Sequence, residues 1–413
     1  MRIRAAKKRS ALRIGAVGWA AAVLVLSACD GGGKPPATEL VATGGAPGVR
    51  SFVLSNVFIA APPEERDACP QLSAGPIELF LKSLPQAQQR QYAAPEKREQ
   101  LMKLMNERAG FRFAFVPPDP KTGAVGAQQI EQKRHELGIP VGKGALGFLG
   151  KVVTYDSCSD PEDFPQFDQG MQVYEGTHAY GLDLDARQGP QDFVGIDGQG
   201  GVDNQLWRAV GCVWAFRENG KPENASKVLF SARAPTLIEI SGIDDDVRND
   251  STVEVSIYGG ITPLTVDAMG RPLARASFDV DTDPRTQAHT RARIVDGVLT
   301  TEPFDVQLIY KEQIIDTVRT LRATRLRATL KPDGTIAGGF YGYYDVESFW
   351  HSIQQMTQLG ASLSRVSCPA VRSALYRYAD AFPDQRTGRN TAISAALQFV
   401  GVRAHVIHPA SGT

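Results

Sequence analysis

The sequence predicts a mainly β, or α+β, protein: an antiparallel β-sandwich or open barrel, with helices near the N-terminus and at the C-terminus. Three observations carry that expectation. Short β-branched runs alternate with Gly, Asp, Asn and Pro turns from about Lys151 to Tyr344. The chain holds 40 Gly and 26 Pro in 413 residues, above the average share of roughly 12% and suited to a turn-rich fold. Helical periodicity is confined to the flanks, and no β-α-β alternation points to a doubly wound sheet.

In chain order, Ser51 to Ala60 is short, apolar and β-branched, which predicts a buried strand. Pro76 to Leu84 places Ile77, Phe80, Leu81 and Leu84 at helical spacing. Pro95 to Gly110 is the clearest helix, with Pro in its first turn, Leu101, Met102, Leu104 and Met105 on one face, and Gly at its stop. Phe111 to Val116 alternates as a strand. Residues 117 to 150 predict a long, poorly packed excursion around one helix at Ala127 to Leu137. The β-rich stretch supplies candidate strands at Val152 to Tyr155, Met171 to Tyr174, Ala179 to Leu184, Lys227 to Arg233, Thr236 to Ile243, Thr252 to Tyr258, Arg291 to Ile294, Phe304 to Tyr310 and Leu326 to Leu330. The last continues through Lys331-Pro332-Asp333-Gly334, a turn with preset φ at Pro and positive φ at Gly, into Thr335 to Phe340. Helices are expected again at Val346 to Leu359, Cys368 to Ala379 and Asn390 to Phe399, with a closing strand at Gly401 to Ile407. The resulting division is 1–28, 29–50, 51–150, 151–345 and 346–413, the stretch 51–413 being readable as one domain.

The balance of 45 Lys+Arg against 45 Asp+Glu disfavours a nucleic-acid binder, whose domains are usually strongly basic. The balance is uneven along the chain. Arg2, Arg4, Lys7, Lys8, Arg9 and Arg13 precede an uncharged run from Ile14 to Leu26, and the first 28 residues hold no acid. That run is too short for a spanning helix, which needs about 20 residues, but suits a secretory leader. It ends in Leu26-Ser27-Ala28-Cys29, which resembles the lipobox of bacterial lipoproteins. The resemblance covers the first 29 residues. It implies removal of the leader, lipidation of Cys29, attachment to a membrane, and a periplasmic or surface-facing cell-envelope location. Residues 29–50 then read as a flexible tether.

An exported chain matures where disulfides persist. Besides Cys29 there are Cys69, Cys158, Cys212 and Cys368, an even set that predicts two bridges in one of three pairings. Sequence proximity favours Cys69–Cys158 with Cys212–Cys368. No Cys pair has zinc-site or Cys-x-x-Cys spacing.

The densest chemistry is Gly181-Leu-Asp-Leu-Asp-Ala-Arg187 leading to Gly195-Ile-Asp-Gly-Gln-Gly-Gly-Val-Asp-Asn-Gln205. Asp183, Asp185, Asp197, Asp203 and Asn204 are candidate oxygen ligands for calcium, which takes six to eight oxygens at flexible geometry. The competing reading is plain turn chemistry, since Asp and Gly favour turns. Asp279-Val-Asp-Thr-Asp283 and Asp244-Asp245-Asp246 are weaker clusters of the same kind. His178 is a candidate base near Glu175 or Asp183. Phe340-Tyr-Gly-Tyr-Tyr344 with Phe349-Trp350 reads as core, or as a sugar-stacking surface with Asp345 and Glu347. No His-Glu-x-x-His, Gly-x-Ser-x-Gly, Walker or dinucleotide motif is present, and Gly360-Ala-Ser362-Leu-Ser364 is only a near miss for the serine elbow.

Two function classes follow. The favoured one is a lipid-anchored, non-catalytic protein that binds an envelope protein or glycan, or serves envelope assembly. The other is a hydrolase of glycan or another envelope polymer, with carboxylates from distant strands meeting in a cleft.

Overall fold

Eight strands close a ring, and every neighbouring pair in it is antiparallel. In the computed structural model, which describes residues 41–42, 48–120, 122–147, 151–219, 233–244, 246–268, 271–311, 316–356 and 367–409, the ring runs β2 (Arg50–Ile59), β8 (Thr236–Ser241), β9 (Asp250–Gly259), β11 (Gln287–Val295), β12 (Val298–Thr301), β14 (Asp316–Leu330), β15 (Thr335–Asp345) and β17 (Asn390–His408). β17 pairs back onto β2, with Leu397 opposite Ile59 and Arg403 opposite Phe52. The core is therefore a closed barrel, and closure leaves its ring without an unpaired edge. Cys29, the expected leader and most of the expected tether lie outside the described residues, as do residues 227–232, Asp245 and the Gly360 to Ser364 stretch. No described helix is long and apolar enough to cross a membrane.

Period-two alternation decides which side chains enter the barrel. Phe52 and Leu54 of β2, Ile238 and Ile240 of β8, Val253, Val255 and Ile257 of β9, Leu326 and Ala328 of β14, Ile336 and Phe340 of β15, and Leu397 and Phe399 of β17 form one buried cluster. The Phe340 and Phe399 rings lie 5.2 Å apart. Outward positions include Glu254, Arg291, Arg293, Arg325 and Arg327, the reverse of a lipid-facing barrel wall. The barrel thus encloses a packed core.

Where a strand must break, the sequence explains it. Pro303 has no N–H to donate and separates β12 from β13 (Phe304–Lys311), so the long β14 pairs with each in turn. At Gly401 the β17–β2 register shifts. A Cβ there would stand 2.8 Å from the Val53 carbonyl and 2.9 Å from Ile336, so no other residue fits without displacing the wall.

Helices complete the same core. α1 (Pro76–Ser83) contributes Ile77, Leu79 and Phe80, and α3 (Arg98–Ala109) contributes Leu101 and Met105. Gly110 ends α3 with φ 77, as its sequence position suggested. α5 (Gln205–Val210), α7 (Val346–Met356) and α8 (Cys368–Tyr378) add Leu206, Val210, Phe349, Trp350, Ile353, Val371 and Leu375. Residues 112–155 fold around a smaller core. There β3 (Arg112–Phe115), β4 (Ala145–Gly147) and β5 (Val152–Tyr155) form a separate sheet, and Val116, Ile139 and Val153 pack with Ile130 of α4 (Ala127–Glu136). Among the described residues of 117–150 only Ile139 is buried, so the excursion is as loosely packed as its Pro, Gly and Lys content predicts.

Several expectations are corrected. Asn390 to Phe399 is no helix but the first half of β17, continuous with the expected closing strand. Its Ala and Leu residues are good helix formers, but burial on both faces and pairing with β15 override that propensity. Met171 to Tyr174 forms no strand, and of Ala179 to Leu184 only Ala179 belongs to one, β6 (His178–Ala179), which pairs with β7 (Val194–Gly195).

The two bridges join Cys69 to Cys212 and Cys158 to Cys368, at Cα separations of 5.5 and 5.0 Å. Sequence proximity thus chose the wrong pairing. The loop after β2 lies beside the end of α5, and the loop after β5 lies beside the start of α8; those contacts decide the partners. Each bridge closes a loop of well over a hundred residues, 143 and 210 apart in sequence. Peptide mapping without reduction should recover these two linked pairs, and replacing either pair by Ala should cost about 2–5 kcal/mol in denaturant unfolding.

Candidate functional site

The Asp/Gly loop is laid against the outside of the barrel and held there by specific contacts. Asn204 accepts the Trp207 N–H at 3.1 Å and so caps α5, while its Nδ2 donates to the Tyr180 carbonyl at 2.7 Å. Tyr174, Phe193, Val202 and Trp207 form a local apolar cluster beneath the loop. The Arg208 guanidinium lies 4.1 Å from the centre of the Phe193 ring. From the barrel, Arg325 of β14 donates to the carbonyls of Asp183 and Leu184, both at 3.3 Å.

This anchoring brings Asp183, Asp185 and Asp203 together, with one carboxylate oxygen from each within 4.8 Å of the others. Asp203 is 8% exposed and accepts the Leu184 N–H at 2.7 Å. Asp183 and Asp185 are exposed, and each accepts a backbone N–H from its own turn, those of Ala186 and Arg187. Among the described residues no Lys, Arg or His nitrogen stands within 4.0 Å of these three carboxylates. Burial pushes the Asp203 carboxyl up to about 6. The Leu184 N–H works against that shift, while the charges of Asp185, Asp192 and Asp380 reinforce it.

Two of the five residues proposed as calcium ligands fall outside the trio. Asn204 is spent on the helix cap. Asp197 accepts the Gln199 N–H at 3.3 Å within its own turn and is not part of the carboxylate group.

Three participants were not foreseen. Asp380 turns its carboxylate onto β17, accepting from the Ser394 N–H at 2.8 Å and hydroxyl at 2.6 Å. Ser394 Oγ in turn accepts the Gln205 N–H at 2.9 Å. Asp380 is an exposed residue, but its carboxyl is raised by desolvation despite those bonds, with the Asp185 charge adding to the rise. Tyr343 stands on the outward side of β15, and its phenol is driven up by burial and by the charges of Asp203, Asp380 and Asp185. Alternation could have found Tyr343: within Phe340 to Tyr344, Phe340 and Tyr344 enter the core, whereas Tyr341 and Tyr343 face out. Nothing in the local sequence distinguishes Asp380.

The remaining candidates have other partners. His178 Nδ1 lies 3.2 Å from Glu65, which also accepts the Thr177 and His178 N–H groups and the Tyr174 hydroxyl. Burial would raise the Glu65 carboxyl, but these bonds hold it below its usual range. His178 is thus tied to a loop acid rather than to Glu175 or Asp183. Asp345 pairs with Arg322 at 2.7 Å, and Glu347 bonds Tyr376 and sits 3.6 Å from Arg372. Asp279 accepts from Thr262, Asp281 from the Asp283 N–H, Asp283 from Arg285, and Asp246 from the Arg248 N–H; these acids serve turns and local pairs.

No family model, no curated protein and no solved structure matches this chain.

The raised Asp203 carboxyl has a stability consequence. The folded protein binds a proton there that the unfolded chain, with its carboxyl near 3.8, releases earlier. Stability therefore falls as pH rises from about 4 to 6 and stays lowered above that, by about 1–3 kcal/mol. Asp203→Asn keeps an oxygen for the Leu184 N–H. In metal-free buffer it should raise Tm at pH 7 to 8 and leave it nearly unchanged at pH 4, measured by calorimetry.

Proposed function

We propose that this chain is a lipid-anchored cell-envelope protein with a non-catalytic binding role, and that the trio Asp183, Asp185 and Asp203 takes a hard divalent cation, calcium by its donor set. The observation that carries the reading is the convergence of three carboxylates that, among the described residues, have no Lys, Arg or His nitrogen within 4.0 Å. A divalent ion would relieve the repulsion among the carboxylates, which adds to the rise that burial gives Asp203. The Cys29 lipobox supplies the address, and two disulfides agree with an oxidising compartment.

Spacing favours the cation over glycoside hydrolysis at the trio. Carboxylates that flank a glycosidic bond stand about 5–5.5 Å apart in retaining enzymes and about 6.5–9.5 Å in inverting ones. The trio is closer, within 4.8 Å, as ligands of one ion would be. The hydrolase reading draws on a different pair: Asp203 and Asp380 both hold protons unusually firmly beside Tyr343, which suits a general acid.

Calcium at about 100-fold above its Kd should add about 2.7 kcal/mol, seen as a Tm rise of several degrees that EDTA reverses and Asp203→Asn abolishes. No calcium shift at pH 7.5 discards the cation. Cleavage of purified cell-wall glycan, lost in Asp380→Asn, would overturn the non-catalytic reading. Membrane attachment lost in Cys29→Ala would test the address.

A further inference from the structure

Beside the carboxylate trio, a groove of about 390 Å³ runs between the same loop and the outer face of β14 and β15. One wall carries Tyr180, Ile196 and Asp197, and the other carries Arg327 and Tyr341. The volume lies within the range of small-molecule sites, about 300–1,000 Å³.

The floor is built from residues with little or no side chain. Ala337 and Gly338 line it, and Gly339, the next residue, points to the same outward side as Tyr341. A Cβ at Gly339 would lie 2.8 Å from both Cζ and Oη of Tyr341. The absence of that carbon lets the phenol ring lie along the sheet instead of standing off it. The half-buried ring therefore lies along the wall that lines the groove. Ile196, 41% exposed on the loop, adds apolar surface at the rim.

The polar groups narrow the ligand class. Arg327 makes no ion pair among the described residues and donates only; Asp197 accepts only. One full charge of each sign leaves the groove neutral. An anion would meet Asp197 and the trio beyond it, and a cation would meet Arg327. An alkyl chain would bury both charges without hydrogen bonds, at a cost of several kcal/mol. A neutral polyol satisfies both, because each hydroxyl can donate to the carboxylate and accept from the guanidinium. The C–H face of a pyranose ring, weakly positive, suits the negative face of a tyrosine ring.

We infer that this groove is a saccharide-binding site, which takes a short neutral oligosaccharide on Tyr341 and Tyr180 with its hydroxyls held by Asp197 and Arg327. The assignment deepens the binding reading above and rests on it for the envelope setting, but it does not require the cation.

The test is calorimetric titration of the full chain with chitotetraose, cellotetraose, maltotetraose and mannotetraose, with and without EDTA. At least one of the four binds with Kd below about 1 mM. Tyr341→Ala weakens it about tenfold, near the 1.4 kcal/mol that a tenfold change represents. Ile196→Trp, which fills the groove from its exposed rim without touching the core, abolishes it at unchanged Tm. Asp203→Asn leaves saccharide affinity intact while removing any calcium response, so the two sites fail separately. No heat with any of the four sugars at about 10 mM, or unchanged affinity in both Tyr341→Ala and Ile196→Trp, overturns the assignment.

Discussion

The pairing of β17 with β2 is the contact on which the rest of the structure depends. A single strand of 19 residues, Asn390–His408, hydrogen-bonds to β15 along one side and to β2 along the other. It thereby joins the last part of the chain to the first described strand of the ring. Without it, eight antiparallel strands would form an open, twisted sheet with two long unpaired edges. Closure forces the inward residues of every strand to share one interior, and that interior is filled by branched and aromatic side chains. The same strand runs on past the ring, where residues 404–407 pair in parallel with Ala276–Asp279, and Phe278 is buried against Ala404 and Val406. Gly401 marks the change, at a point where the wall has no room for a side chain.

Closure also creates the outer face on which the candidate chemistry sits. Ser394 on β17, Tyr341 and Tyr343 on β15, and Arg325 and Arg327 on β14 point outward because their neighbours point inward. The Asp/Gly loop is then held on that face by the Asn204 cap, the Arg325 bonds and the Tyr174–Trp207 cluster. Like charges that would spread in a free loop are kept together, and Asp203 is partly desolvated among them. The apolar cluster beneath the loop and the Cys69–Cys212 bridge beside it hold these charges in place.

Legibility differed by type of signal. Strands with strict alternation or bounded by turn residues were found within a residue or two, as at Val152–Tyr155 and in the hairpin around Pro332-Asp333-Gly334. The Gly stop of Arg98–Ala109 was equally clear, whereas Pro95, expected in its first turn, opens a separate 3-10 turn at Pro95–Lys97. Asn390 to Phe399 failed because a strand buried on both faces has no alternation to show, and its alanines suit a helix as well. The cysteine partners failed because proximity in sequence says nothing about which loops meet in space. In the acidic loop, residue types named the right neighbourhood. They did not separate Asp203, which faces its companions, from Asn204, which turns away to cap a helix one residue later.

Local sequence carried the chemistry at hand. It specified a basic N-terminal stretch whose end resembles a lipobox, four further cysteines, turn-punctuated strands, and a loop crowded with carboxylates and glycines. These are local properties, written in composition and in spacing over a few residues. Barrel closure, the cysteine partners, and the approach of Asp380 and Tyr343 to a loop some 140–200 residues away in the chain came from the folded chain alone. Each of these depends on contacts between segments distant in sequence. No local pattern encodes such contacts, because packing of the whole chain selects them.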